Sequence, residues 1–215
     1  ATHPNDNGIE KNPYFPMLTP SLKTHCESIY SYLLQNHGTD NILLIRKPGS
    51  QEDKTEGFFS AINKPDKKEL LKIKTIFPDS AWTNINIALD STRKNCIIGA
   101  SLDESFAKEL IVTLKNSPKK FDLLLFGMPN WNAFNAFSKN IKSEHKDFPF
   151  YYTTPYFNNK TDSISQLIQH SYLEQYKGTP SDMAYKGFEM MYSFSRAIAQ
   201  NNEDFSSAVN NYPSK

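Results

Sequence analysis

Asn41-Ile42-Leu43-Leu44-Ile45-Arg46 is the stretch that decides the fold. Its apolar residues run on without alternation. A strand with one wet face alternates apolar and polar side chains, whereas an unbroken run suits a strand covered on both faces, as parallel sheets require. The same texture returns at Cys96-Ile97-Ile98 and, more fully, at Phe121-Asp122-Leu123-Leu124-Leu125-Phe126. Leu71 to Phe77 alternates apolar residues with Lys and reads as a strand nearer an edge. Phe148 to Tyr152 reads as a last strand.

Helical patterns fall between these strands. Thr19 is the expected N-cap, with Pro20 at the first helical position. Leu22, Cys26, Ile29, Leu33 and Leu34 make an apolar stripe that His37-Gly38 ends. Ser50 and Asp53 open a second helix carrying Phe58, Phe59 and Ile62. Ala81 to Thr92 reads as a short helix using Ile85 and Leu89. Ser101-Leu102-Asp103-Glu104 fits the capping box S-x-x-E, ahead of a helix presenting Phe106, Leu110, Ile111 and Leu114. Trp131 to Ile141 reads as the helix before the last strand.

Helix and strand therefore alternate from residue 19 to 152. That alternation predicts an α/β fold of three layers, α-β-α, around a five-stranded parallel sheet of order 2-1-3-4-5. After Pro155 the pattern changes. Ile164, Ile168 and Tyr172 mark one helix, Gly178-Thr179-Pro180 breaks it, and Ala184, Phe188, Met191 and Ile198 mark a longer one. The expected organisation is an extended tail over 1–18, an α/β lobe over 19–155 and a helical appendage over 156–215.

Composition narrows the function. The chain has 215 residues, enough for a packed core, and 38% of them are hydrophobic, as in a globular protein. Lys and Arg total 24 against 23 Asp and Glu, so no electrostatic footprint for nucleic acid exists. The basic cluster at Lys64, Lys67 and Lys68 reads as a solvated loop. No run approaches a membrane span. Ala1 to Lys11 is polar and reads as a tail or linker rather than a signal peptide. Cys26 and Cys96 sit in apolar contexts and read as two core thiols, with a disulfide as the alternative.

Motifs for chemistry are missing. The chain carries neither G-x-G-x-x-G nor a Walker loop nor G-x-S-x-G. None of the five histidines has a Cys or His partner at metal-ligand spacing, and His25 reads as helix surface beside the core residue Cys26. The expectation is no enzyme, no cofactor and no metal.

In open α/β sheets ligands bind beyond the carboxyl ends of the strands. That rule selects the turns at Arg46 to Gln51, Gly99 to Ser101, Gly127 to Trp131 and Thr153 to Tyr156. The candidate ligand-binding residues are Arg46, Ser101, Trp131 and Tyr156. Each has a structural alternative. Arg46 meets an anionic ligand group or pairs with a local carboxylate. Ser101 contacts ligand or caps its helix. Trp131 forms an aromatic wall or covers the sheet end. Tyr156, like Tyr152, contacts ligand or only packs.

At these same turns the sequence resembles a known family. Asn12-Pro13-Tyr14-Phe15-Pro16-Met17-Leu18-Thr19-Pro20-Ser21 looks like the "NPYFFRLTPS" segment that enters the second lobe of type I periplasmic binding proteins of the leucine/isoleucine/valine-binding kind. Asn41 to Arg46 with its helix resembles their next β-α unit, and Gly127-Met128-Pro129-Asn130-Trp131 resembles a strand-to-loop segment that often carries a Trp. Phe150 to Phe157 resembles the hinge crossing back to the first lobe. Tyr176 to Glu189 resembles "YG-x-x-P-x-x-x-A-x-x-G-Y-D" in the helices after it. The order and spacing of these segments, from residue 12 to about 200, carry the likeness. It is nearest to a branch found in Bacteroidetes-type bacteria, where such domains follow peptidoglycan-binding LysM modules.

The resemblance implies a Rossmann/flavodoxin-like lobe that closes with a first lobe over a small polar ligand, an amino acid or derivative, outside the cytoplasm, for ABC-type uptake or sensing. It implies as partners the missing first lobe of the same protein and an ABC permease or a peptidoglycan-associated module. The alternative is a degenerate member that keeps the fold for cell-envelope protein contacts. The sequence departs from the family in the turn after the first strand, where Arg46-Lys47-Pro48-Gly49-Ser50 replaces a Tyr- and Asp-rich turn. In complete members the two last helices pack largely on the first lobe. Their apolar stripes here are expected to pack on each other and on a second copy or the lobe's own flank, a homodimer of the fragment being the simplest solution.

Overall fold

The computed structural model describes residues 19–118, 121–131, 134 and 148–200. The chain divides into two compact units, one spanning Pro20–Thr154 and the other holding the described residues from Pro155 on. The expectations for residues 1–18 and for a helix over Trp131 to Ile141 fall outside the described residues, except for Trp131 and Phe134.

The first unit runs α1 (Leu22–Asn36), β1 (Asn41–Ile45), α2 (Ser50–Asn63), β2 (Ile73–Ile76), α3 (Thr83–Ala88), β3 (Asn95–Gly99), α4 (Glu104–Lys115), β4 (Leu123–Gly127) and β5 (Phe150–Tyr152). The five strands form one parallel sheet of order β2-β1-β3-β4-β5, with helices on both sides. This is the predicted architecture and strand order. Strands β1, β3 and β4 are buried at every position, while β2 lies at an edge and stays partly exposed. An unbroken apolar run and an alternating one thus sort themselves to the centre and the edge of the same sheet.

Local chemistry moves several expected boundaries. The first helix is capped by Ser21, whose Oγ accepts from the Thr24 N–H at 3.3 Å, and not by Thr19. Pro20 precedes this cap and sits outside the helix. Residue 34 lies about 100° round from residue 33, so Leu33 is buried and Leu34 is exposed. By the same rotation His25 was expected at the surface, yet it is buried. The flank of α1 at His25 is covered, and Thr153 just beyond β5 supplies a polar partner, its Oγ1 2.8 Å from His25 Nδ1. The capping box is also corrected. Asp103 is the N-cap of α4, accepting from the Ser105 N–H at 2.9 Å, because the chain only turns helical at Glu104. A carboxylate in that place satisfies a free amide and meets the positive end of the helix dipole.

The core is one cluster. It joins Cys26, Ile29 and Leu33 of α1, the sheet, Phe59 of α2, Ile85 of α3 and the α4 stripe Phe106, Leu110, Ile111 and Leu114. Cys26 and Cys96 are both buried free thiols, as the first of the two readings has it.

The second unit holds α5 (Ser163–Tyr176) and α6 (Asp182–Gln200). Asp162 caps α5 by accepting from the Ser165 N–H, and Lys177 closes it in the left-handed region at φ 54°. Gly178 and Pro180 follow, as the expected break requires. Within this unit Tyr185 is buried, with the Lys160 ammonium 5.3 Å from its ring centroid, and Lys160 pairs with Asp182 at 2.8 Å. Ile164, Phe188, Met191 and Ile198, expected to be packed away, are exposed in this chain.

Candidate functional site

The carboxyl ends of the strands gather most of the expected residues. Arg46 follows β1, and its N–H donates to Ile76 O at 3.2 Å. Its side chain is buried and already paired. Nη1 lies 2.6 Å from Asp53 Oδ1, and Nε lies 2.7 Å from Glu56 Oε2 in poor hydrogen-bond alignment. The guanidinium also stands 4.6 Å from the Phe77 ring centroid. Thr75 holds Glu56 from β2, its hydroxyl donating to Oε1 at 2.6 Å. Of the two readings of Arg46, the local-carboxylate one describes this geometry. Its charge is met by acidic groups on the first turns of α2.

Ser101 follows β3 and is buried. Its hydroxyl donates to Glu52 Oε1 at 2.7 Å and accepts from the Asp103 N–H at 3.2 Å. Its carbonyl accepts from Trp131 Nε1 at 2.8 Å. Trp131 has no exposed surface in this chain. Its indole covers the carboxyl ends of β3 and β4, where Gly99 and Gly127 leave room for it, and stacks on Phe150 at 5.9 Å. A Cβ on either glycine would strike the ring. Trp131 therefore covers the sheet end. Beside it, Asn130 donates to Leu102 O at 2.8 Å, while its buried Oδ1 finds no partner among the described residues. Tyr156 belongs to the second unit, where Asn158 Nδ2 approaches its hydroxyl at 3.4 Å. The structure thus brings Arg46, Ser101 and Trp131 to one edge of the first unit, whereas Tyr156 is part of the second.

Three residues at this edge escaped the sequence reading. Lys47 reaches Asp103 at 3.5 Å and stands 5.7 Å from the Phe106 ring centroid. Glu52 is the carboxylate that Ser101 meets. Trp82 ends the loop after β2, in the left-handed region at φ 59°, with its half-buried ring 5.5 Å from Phe106. A bulky residue held there costs about 1–2 kcal/mol, and such conformations cluster at binding sites. The signal was available: the loop after β2 also lies at a strand's carboxyl end, but Trp82 reads in sequence as part of a helix over Ala81 to Thr92.

The electrostatics of the edge are acidic. Four carboxylates, Glu52, Asp53, Glu56 and Asp103, stand against two cations, Arg46 and Lys47, in these contacts. The Ser105 hydroxyl, its backbone N–H and Lys47 hold the Asp103 carboxyl below its ordinary value, so it stays ionised. Carboxylates, amide groups and an aromatic face of this kind can hold a polar solute, an amine above all.

A second polar cluster lies at the opposite, amino edge. His37 Nδ1 is 2.8 Å from Asp40 Oδ2, and Cys96 Sγ is 3.9 Å from the same oxygen. Burial, then the neighbouring Asp40 charge, pushes the Cys96 thiol up to about 12.

A three-layer α/β lobe of this strand order also occurs among solved structures. The chain is similar to an ABC transporter substrate-binding protein from Desulfitobacterium hafniense, whose crystal structure is a complex with Leu. The match has a TM-score of 0.57 at 14% identity and covers 89% of this chain. The chain spans 53% of that protein's length. No protein-family model matches the sequence, and no curated protein does.

Proposed function

We infer that this chain is one α/β lobe, with helices that belong to the other lobe, of an extracytoplasmic solute-binding protein, working without catalysis, cofactor or metal in ligand recognition. The observation that carries this reading is the acidic, partly aromatic edge at the carboxyl ends of β1, β2 and β3. In such folds ligands sit there. The proposed ligand is a small polar solute with an amino group, an amino acid or a derivative, as Leu is for the Desulfitobacterium protein. Glu52, Asp53 and Asp103 would meet the amino group. Arg46 would order those carboxylates rather than bind an anion. Trp82 would supply the aromatic wall, with Trp131 beneath it as support. Ser101 and Tyr156 remain proposed contacts, Ser101 through its carboxylate partner.

A complete site needs the first lobe as partner. The exposed apolar residues Met183, Phe188, Met191 and Ile198 of α6 support a docking surface for it. They equally support a second copy of the chain, and this favours the second reading, a binding-protein fold used for protein contacts at the cell envelope. An ABC permease or a LysM-bearing, peptidoglycan-associated module would be the partner in uptake or envelope attachment respectively. Thermal melting of the protein with both lobes, against a panel of amino acids, tests the choice. A ligand held at about 100 times its Kd stabilises the native state by about 2.7 kcal/mol. A rise in Tm that Glu52→Gln and Asp103→Asn abolish would support solute binding. Melting unmoved by every solute, with self-association that Phe188→Ser weakens, would favour the protein-contact reading.

A further inference from the structure

We propose that His37, Asp40 and Cys96 form a three-ligand site for a borderline divalent transition metal of the zinc class. The site lies at the amino edge of the sheet, away from the proposed solute edge. The fold creates it by register. His37 ends α1 and Asp40 is the last residue before β1, while Cys96 comes from β3, far away in sequence. Parallel pairing sets Cys96 beside Ile42, two positions past Asp40. The three ligand atoms consequently lie within 4.8 Å of one another. Ligands on a tetrahedral zinc, bonded at about 2.0–2.3 Å, stand roughly 3.3–3.7 Å apart. The His–Asp separation of 2.8 Å opens a little, and the Cys–Asp separation of 3.9 Å closes a little, to reach that figure.

The His37–Asp40 pair has a use without metal, since it closes the turn between α1 and β1. That use does not call for a thiol. Cys96 brings its sulfur to the same carboxylate oxygen, and a ligand set of imidazole, carboxylate and thiolate selects zinc over magnesium or calcium, which take oxygen ligands. The approach from solvent is open. His37 and Asp40 side chains keep 12% and 21% of their exposure, so a bound ion could take its fourth ligand from water. The supports are in place. His37 N–H donates to Leu33 O at 2.8 Å, Asp40 N–H donates to His37 O at 3.1 Å, and the Asn41 N–H donates to Lys94 O at 3.0 Å, tying the two strands together. The Tyr32 ring covers His37 at 5.7 Å. Lys94, the cation facing Cys96, is drawn to Asp122 at 3.2 Å. On binding, Cys96 Sγ gives its proton to solvent and donates the freed pair to the metal, while neutral His37 and ionised Asp40 each donate a lone pair. No oxidation change is involved.

The experiment uses zinc and cobalt chloride as probes on the whole chain. Calorimetry with zinc should give one site per chain. Cobalt should give a sulfur-to-metal charge-transfer band in the near ultraviolet. Cys96→Ala should abolish that band, and Cys26→Ser, which alters the other buried thiol, should keep it. His37→Gln, at a partly exposed position that the fold tolerates, should weaken zinc at least about tenfold, the scale of losing even an outer-sphere partner. The absence of a cobalt–thiolate band in the parent chain would overturn the site. So would zinc affinity unchanged by His37→Gln, or a band lost in Cys26→Ser but not in Cys96→Ala.

Discussion

At the amino edge of the sheet, Asn95 is wholly buried and every polar atom of its side chain is engaged. Its Oδ1 accepts from Asn41 Nδ2 at 2.8 Å and from the Asp90 N–H at 2.7 Å. Its Nδ2 faces the carbonyls of Asp90, Arg93 and Asp122. At the carboxyl edge, Arg46 Nε is poorly aligned with its carboxylate, Asn130 Oδ1 is unpaired, and Trp82 is held left-handed. One edge closes its polar groups on themselves. The other leaves them incompletely satisfied. A buried network fully paired fixes a structure, whereas an unpaired buried group costs about 1–3 kcal/mol and persists where function asks for it. The difference accords with the carboxyl edge as the proposed solute side of the sheet and with the Asn pair as the clasp that holds its strands in register.

The largest expected effect tests the floor beneath the carboxyl edge. Trp131→Ala removes a fully buried indole and its bond to Ser101 O. Large aromatic deletions in cores cost about 3–5 kcal/mol. Urea unfolding should show a loss of that size. A loss under about 1 kcal/mol would mean that Trp131 is not the support described here.

Next comes the clasp. Asn95→Ala leaves the Asp90 N–H and one hydrogen of Asn41 Nδ2 without their acceptor and takes a donor from the Asp90 and Arg93 carbonyls, while Asn41 Nδ2 keeps Ala88 O and the Asp122 carbonyl keeps the backbone N–H of residue 95. With buried groups costing about 1–3 kcal/mol each when left unpaired, and some of them reaching water, a loss of about 3 kcal/mol is expected. The same measurement on Asn130→Ala should show far less, because one of that amide's atoms has no partner to lose. Equal losses would erase the contrast between the edges.

How much of this was legible in sequence follows from the range of the forces involved. The continuous runs at Ile42–Ile45, Cys96–Ile98 and Leu123–Phe126 report burial on both faces, and burial alone orders these strands. Caps were less legible. Ser101 and Asp103 both suit an N-cap, and choosing between them needs the backbone angle at Asp103. The rim positions at Arg46, Ser101 and Trp131 follow from strand ends. Their roles do not, because Arg46 is answered by Glu56 and Asp53 on the next helix and Trp131 drops into space left by two glycines. The His37, Asp40 and Cys96 cluster was out of reach. No spacing rule joins residues brought together only by β1–β3 pairing.

At the carboxyl edge, Arg46→Met separates stability from binding. Its partners are partly exposed, with Asp53 63% and Glu56 32% accessible, so water can take over their solvation. Removing one member of a buried pair is costly because the other is left buried and unpaired; here both carboxylates reach water, so a change within about 1 kcal/mol is expected in urea unfolding. Binding of an amine-bearing solute should change by more than this, because the carboxylates would lose the group that orders them. A stability loss of several kcal/mol would instead make Arg46 part of the clasp.

The smallest effect concerns acid. At the amino edge, the Thr92 hydroxyl, the Thr92 N–H and Arg93 hold the Asp90 carboxyl far below its ordinary value. At the carboxyl edge the Ser105 hydroxyl leads the forces lowering Asp103. A carboxyl whose pKa is lower in the folded chain binds its proton more readily when unfolded. Each group therefore stabilises the fold at pH values above the ordinary carboxylate value of about 3.9, and that stabilisation is lost as pH falls through the lower, folded value. Asp90, the more depressed of the two, should keep contributing to a more acidic pH than Asp103. Urea midpoints measured from pH 6 downward should decline, and Asp90→Asn should flatten the lower part of that decline while Asp103→Asn flattens the upper part. Asp103 is exposed and Asp90 partly so, so the differences will be small and salt will shrink the Lys47 contribution at Asp103. Stability that rises on acidification through this window, in the parent chain, would reverse the sign and remove both carboxyls from the account of the two edges.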